Sequence, residues 1–148
     1  MSRKPKAPFE DSPAAAVEAA TRLLARREHG AWELRIKLER KGFGADSIAA
    51  ACAELKARDY LNETRYALML ARHRAAQGRG PRWVEAELQA QHINDADCAA
   101  ALAQEEIDWL SACRQAARRL KADDPRRREK LYQRGFVPAQ IQAVLPDS

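Results

Sequence analysis

Apolar residues along this chain recur at three- and four-residue steps, and Gly, Pro and Asn punctuate them. Val17, Ala20, Leu23 and Leu24 share one helical face. Ser12-Pro13 caps and opens that helix, which is expected to run to about residue 28. His29-Gly30 breaks it. A second helix is expected over residues 31–41, with Glu33 favourably placed in its first turn, and a third over residues 45–58. Asn62 is expected to cap a fourth helix over residues 63–77, with a staple between Leu61 and Tyr66. Gly78-Arg79-Gly80-Pro81 ends it and starts a fifth, with Pro81 at its first position, running to about residue 91. A sixth is expected over residues 95–104 and a seventh over residues 107–122. Asp123-Asp124-Pro125 opens an eighth that ends before Gly135, and a ninth follows over residues 138–145. Nothing reads as a strand, so the fold class is all-α.

The pattern repeats itself. Leu38, Leu88 and Leu131 stand 50 and then 43 residues apart, and each is followed by a run of long polar residues. Four positions on come Gly42, His92 and Gly135, where a helix stops with a left-handed residue. Histidine makes the weaker stop. Phe43, Ile93 and Phe136 come next, with Ile48, Cys98 and Ile141 five residues later. That is the spacing of a hydrophobic staple, made three times. Asn94 is a strong N-cap and Pro138 suits a first helical turn. Periods of this length mark stacked helical units, which bury their apolar faces only against neighbours. The expectation is three tandem three-helix repeats. They divide as residues 13–61, 62–106 and 107–148, behind a disordered tail of residues 1–12 that carries Pro5 and Pro8. Such a module lies along a partner rather than enclosing a small substrate.

Composition narrows the picture. The 148 residues carry a net charge of +5 with both signs interspersed, and the pI is about 9.4. The bias fits contact with a polyanion and equally fits plain solubility. No apolar run has the length of a membrane span, and no signal peptide is expected behind Met1. Cys52, Cys98 and Cys113 lack C-x-x-C spacing and read as buried small residues of a reduced, cytoplasmic protein.

No catalytic arrangement emerges: there is no P-loop, G-x-G-x-x-G, H-E-x-x-H or G-x-S-x-G. His29, His73 and His92 stand alone, so neither a metal nor a cofactor is expected. The basic residues are more informative because they fall in groups. The first holds Arg26, Arg27, Arg35, Lys37, Arg40 and Lys41. The second, Arg72, Arg74, Arg79 and Arg82, surrounds the Gly-Arg-Gly-Pro turn. The third holds Arg118, Arg119, Lys121, Arg126, Arg127, Arg128, Lys130 and Arg134. They form either a solvated face or a stripe that contacts phosphates or an acidic protein groove. Partial burial is expected for Trp32 and Trp83. The acidic helix starts at Asp46 and at Asp95 with Asp97 argue against sequence-specific duplex readout.

Tyr60-Leu61-Asn62-Glu63-Thr64-Arg65-Tyr66-Ala67, then Gly78-Arg79-Gly80-Pro81 and Glu87-Leu88, resembles the central signature of the RecX family. Leu23-Leu24-Ala25-Arg26-Arg27-Glu28-His29 with Glu33-Leu34-Arg35-Ile36-Lys37-Leu38 resembles it too. His92 stands where the family usually has glycine, and Trp83-Val84 where it commonly has Arg-Ile. The resemblance implies a non-enzymatic negative regulator of the RecA recombinase, needing no cofactor. Such a protein forms a curved, elongated module and lies in the groove, or at the end, of the RecA–single-stranded DNA filament. It limits filament extension, ATPase, strand exchange and coprotease activity. The implied partners are the RecA filament and single- and double-stranded DNA, with no membrane and a monomeric chain. The alternative is a general nucleic-acid-binding helical module that acts without RecA.

Overall fold

A computed structural model describes residues 8–146. The described residues form nine helices and no strand: α1 (Pro13–Arg26), α2 (Ala31–Arg40), α3 (Ala45–Ala57), α4 (Glu63–Ala76), α5 (Pro81–Ala90), α6 (Asp95–Ala103), α7 (Trp109–Arg118), α8 (Arg127–Gln133) and α9 (Pro138–Val144). The all-α, three-by-three organisation is the one expected. In each triplet the first helix packs principally on the third, as α1 on α3, α4 on α6 and α7 on α9. The chain forms two compact units, Met1–Asn62 and Glu63–Ser148. Apart from Asn62, the segments expected over residues 62–106 and 107–148 therefore share one unit.

The repeated stops are Schellman motifs in all three copies. The amides of Phe43, Ile93 and Phe136 donate to the carbonyls of Leu38, Leu88 and Leu131 at 3.2, 3.1 and 3.2 Å. One residue earlier, Gly42, His92 and Gly135 donate to Glu39, Gln89 and Tyr132 at 2.9, 3.0 and 3.0 Å. The residues at the stop have φ of +103°, +60° and +101°. His92 thus adopts the left-handed conformation without glycine's freedom. Asp59, also at φ +60°, closes α3 in the same way.

Each staple pair lies in one core: Phe43 with Ile48, Ile93 with Cys98, Phe136 with Ile141. Leu34 and Leu38 in the first core, and Leu88 in the second, are fully buried. Burying one such side chain stabilises the fold by about 1.5–3 kcal/mol. Alanines do much of the remaining packing: Ala16, Ala19 and Ala20 of α1 share a core with Ala51 of α3. Side chains this small let helix axes approach closely. The Leu61–Tyr66 staple is replaced by a different arrangement, since Leu61 sits in the first core and Tyr66 in the second.

Two helix starts fall later than expected, and side-chain caps explain both. Asp108 accepts from the Ser111 amide at 3.0 Å, so α7 begins at Trp109. Asp124 accepts from the Arg126 amide at 2.8 Å, and α8 begins only at Arg127. Of the tail expected over residues 1–12, residues 1–7 lie outside the described ones. Phe9 packs on Phe43 with ring centroids 4.9 Å apart. The Asp11 carboxylate accepts from the Gly44 amide at 3.2 Å, and Ser12 caps α1 through the Ala15 amide at 3.1 Å.

Candidate partner interface

In the second unit, the Gly-Arg-Gly-Pro turn is built by its glycines. Gly78, at φ +84°, closes α4, and the Gly78 and Arg79 amides donate to the Ala75 and Arg74 carbonyls, both at 3.0 Å. Gly80 caps α5, and Pro81 occupies a position that needs no N–H. On either side of Pro81 the main chain reaches across to the third repeat. The Gly80 amide donates to the Arg134 carbonyl at 2.8 Å, and the Arg82 amide to the Gly135 carbonyl at 3.0 Å. A Cβ on Gly80 would fall well inside contact distance of the Gly135–Phe136 peptide. A Cβ on Gly135 would lie 2.5 Å from the Trp83 nitrogen.

This joint sets out a surface of arginine on aromatic rings. The Arg79 guanidinium lies 4.0 Å from the Trp83 ring centroid, and that of Arg82 lies 4.5 Å from Tyr132. Such stacking is worth about 0.5–1 kcal/mol at exposed positions. Trp83 remains 39% exposed and Tyr132 48%, so Trp83 is partly buried but keeps much of its ring accessible. Arg119 and Arg134 also approach the turn: a Cβ on Gly78 would lie 3.3 and 3.4 Å from their guanidinium nitrogens. None of these four arginines has an ion-pair partner among the described residues.

Other arginines expected at an interface are already engaged. Arg74 makes a two-pronged pair with Glu87 at 2.8 and 2.9 Å. Arg72 donates to Gln104 at 3.0 Å. Arg126 pairs with Glu129 at 2.9 and 3.0 Å, and their mutual attraction holds the Glu129 carboxyl low and the Arg126 guanidinium high. Lys130 pairs with Asp124, whose carboxyl is held low first by that bond and then by the Arg126 amide. Arg128 donates to Gln142 at 3.2 Å and to the Leu145 carbonyl. Arg118 and Arg127 carry no ion pair among the described residues.

In the first unit, Arg27 grips Glu33 at 2.6 and 2.9 Å, and Arg35 lies 3.8 Å from Glu39. Lys37 reaches His29 Nε2 at 2.8 Å, while Nδ1 of the same ring lies 3.0 Å from the Arg27 carbonyl. His29 is 1% exposed. Burial, more than the Arg27 and Lys37 charges, pushes its pKa down, although the Arg27 carbonyl opposes. Burial pushes the Glu33 carboxyl up, but the Arg27 hydrogen bond and the surrounding charges outweigh it and hold the carboxyl low. Arg26, Arg40 and Lys41 are exposed and have no ion pair among the described residues. Charge grouping in the sequence thus mixes two populations, cations that brace the fold and cations left available.

The three cysteines are free thiols. Cys98 and Cys113 are buried, and Cys52 only half-buried. Burial pushes all three up, Cys113 to about 11, so they stay protonated. Among the described residues no three His, Cys, Asp or Glu side chains converge as metal ligands would, and no helix is long and apolar enough to cross a membrane. Tyr132 joins the surface without having been singled out in the sequence, and Arg134 joins it from the basic residues of the expected eighth helix. Their partners, Arg82 and Gly78, are some fifty residues away, beyond any local spacing rule.

Helix order, triple staples and an arginine-bearing outer face define an all-helical protein of tandem three-helix repeats. Residues 16–55 match the first three-helix domain described for RecX, and residues 62–102 match the second. The chain is 33% identical over 138 residues to regulatory protein RecX of Vibrio vulnificus, covering 88% of this chain and 90% of that one. It is 38% identical over 134 residues to the RecX of Acidithiobacillus ferrooxidans, covering 85% of each. The chain belongs to the RecX family. Its fold is similar to that of the RecX crystal structure from Lactobacillus salivarius, with a TM-score of 0.71 at 19% identity over 93% of this chain and 96% of that one.

Proposed function

We propose that this protein is a negative regulator of the RecA recombinase. It binds the RecA–single-stranded DNA filament in its groove or at its end. There it limits filament extension, and with it ATPase, strand exchange and coprotease activity. The likeness to regulatory protein RecX, running through both matched domains and 90% of the length of the Vibrio relative, carries this reading. It acts in the cytoplasm, as a monomer and without catalysis of its own. The available arginines, Arg26, Arg40, Arg79, Arg82, Arg118, Arg119 and Arg127, offer planar forks to the phosphates and carboxylates of a nucleoprotein filament. Single- and double-stranded DNA are further partners in this reading.

A second reading has one observation in its favour. Arg79 on Trp83 and Arg82 on Tyr132 are pairs on which unstacked bases could lie, as in single-strand binders that need no protein partner. Titrating the protein into a single-strand-dependent RecA ATPase assay with DNA in excess separates the two. Filament regulation predicts inhibition at concentrations too low to cover the DNA. A general binder inhibits only near saturation, and its affinity falls by about 0.7 log units per phosphate contact for each tenfold rise in salt.

A further inference from the structure

Two adjoining clefts, of about 360 and 330 Å³, share Arg127, Val144 and Leu145 as walls. They lie at one end of the third repeat, where the end of α7, the start of α8 and the end of α9 meet. Their floor is aliphatic: Ala117, Leu120, Val144 and Leu145. Leu120, Val144 and Leu145 are only half-buried although they belong to the third core. Arg114, Arg118 and Arg127 line the same space, and none has an ion-pair partner among the described residues. Among the described residues of the lining the acidic side chain is Asp124, which is engaged by Lys130 and by the Arg126 amide. It therefore leaves the positive field of the arginines largely uncancelled.

We propose that this cleft binds an acidic protein segment carrying aliphatic side chains: aspartate or glutamate meets Arg114, Arg118 and Arg127, while leucine-like groups settle on Leu120, Val144 and Leu145. The inference goes beyond the RecA reading and does not need it. Charge complementarity selects an anionic occupant. The floor then chooses between polyanions. A phosphate backbone gains nothing from aliphatic side chains, and no aromatic ring lines the cleft for a base to stack on. A peptide uses both halves, burying its apolar groups below and pairing its carboxylates at the rim. The contrast with the Arg79–Trp83 and Arg82–Tyr132 surface is chemical: there the flat partners are aromatic, here they are aliphatic.

The test is fluorescence anisotropy with the full chain and three labelled probes. One is a short Asp/Glu-rich peptide with two leucines, the second its leucine-to-serine counterpart, and the third an oligothymidylate of equal charge. The leucine peptide is expected to bind at least about tenfold more tightly than the other two, as burial of even one leucine allows. Arg118→Glu with Arg127→Glu should abolish that preference, while Arg35→Glu with Arg40→Glu in the first unit should leave it in place. Circular dichroism identifies a variant that fails to fold, and Arg118→Gln, which removes the charge but keeps a polar, unbranched stem, should then still weaken binding of the leucine peptide. Equal binding of all three probes would reduce the cleft to a generic polyanion patch and overturn the proposal. No binding of the leucine peptide would overturn it as well. RecA inhibition is read separately, so either idea can fail alone.

Discussion

Gly42 and Gly135 end equivalent helices with the same pair of hydrogen bonds and nearly the same φ, yet their neighbours differ. Beyond Gly42 a Cβ would meet only the Phe9 ring, at 3.4 Å, an ordinary van der Waals contact. Beyond Gly135 it would meet the Trp83 main chain at 2.5 Å. The first glycine answers a local demand for left-handed backbone, and the second answers that demand together with a tertiary one. One sequence signal therefore hides two tolerances, and substitution should separate them.

The largest effect is expected from Gly135→Ala. Strain of about 1–2 kcal/mol at positive φ adds to an overpacking cost of about 1–3 kcal/mol, whereas Gly42→Ala carries the strain alone. Urea unfolding of the two variants, with Trp32 reporting the first unit and Trp83 and Trp109 the second, measures the difference. Equal losses would mean that the Trp83 contact gives way without cost. Next comes Gly80→Ala. Gly80 has φ −91°, which any residue adopts, so its cost of about 1–3 kcal/mol isolates the close approach from the backbone strain.

The middle copy sharpens the comparison from the other side. His92→Gly removes about 1–2 kcal/mol of left-handed strain but adds about 0.5–1 kcal/mol of chain entropy. A net gain of up to about 1.5 kcal/mol is expected, and a loss would show that the imidazole makes contacts worth more than the strain. The smallest effect is in pH. The His29 pKa is lowered from 6.5 in the fold, so the unfolded chain binds the proton more readily. The His29 contribution is complete above that value and declines as pH falls below it towards the folded pKa. Thermal midpoints of the first unit should drop between about pH 7.5 and about pH 5.5, and His29→Gln should flatten the trend.

What the sequence made legible was local. Schellman stops and staples span at most six residues, so Gly42, Phe43 and Ile48 announce themselves, and even His92 is recognisable by position. Nine helices followed from such signals, with errors where a side chain reset the start, as Asp124 does for α8. The interface was legible only as a supply of arginines. Which ones remain available depends on partners from other helices: Glu87 silences Arg74 across thirteen residues, while Arg79 stacks on Trp83 and has no ion pair among the described residues. The pairing of Arg82 with Tyr132 follows from a joint between repeats, and no periodicity encodes it.

That joint is fastened by peptide groups, Gly80 to Arg134 and Arg82 to Gly135, with no side chain in either bond. Fastener and display are thereby uncoupled. Provided the two glycines stay, the residues presented around them can drift, be exchanged or be redesigned without unseating one repeat from the next. The turn would serve an engineer as a fixed bracket with interchangeable fittings, and would let natural lineages retune what the surface recognises while the architecture holds still.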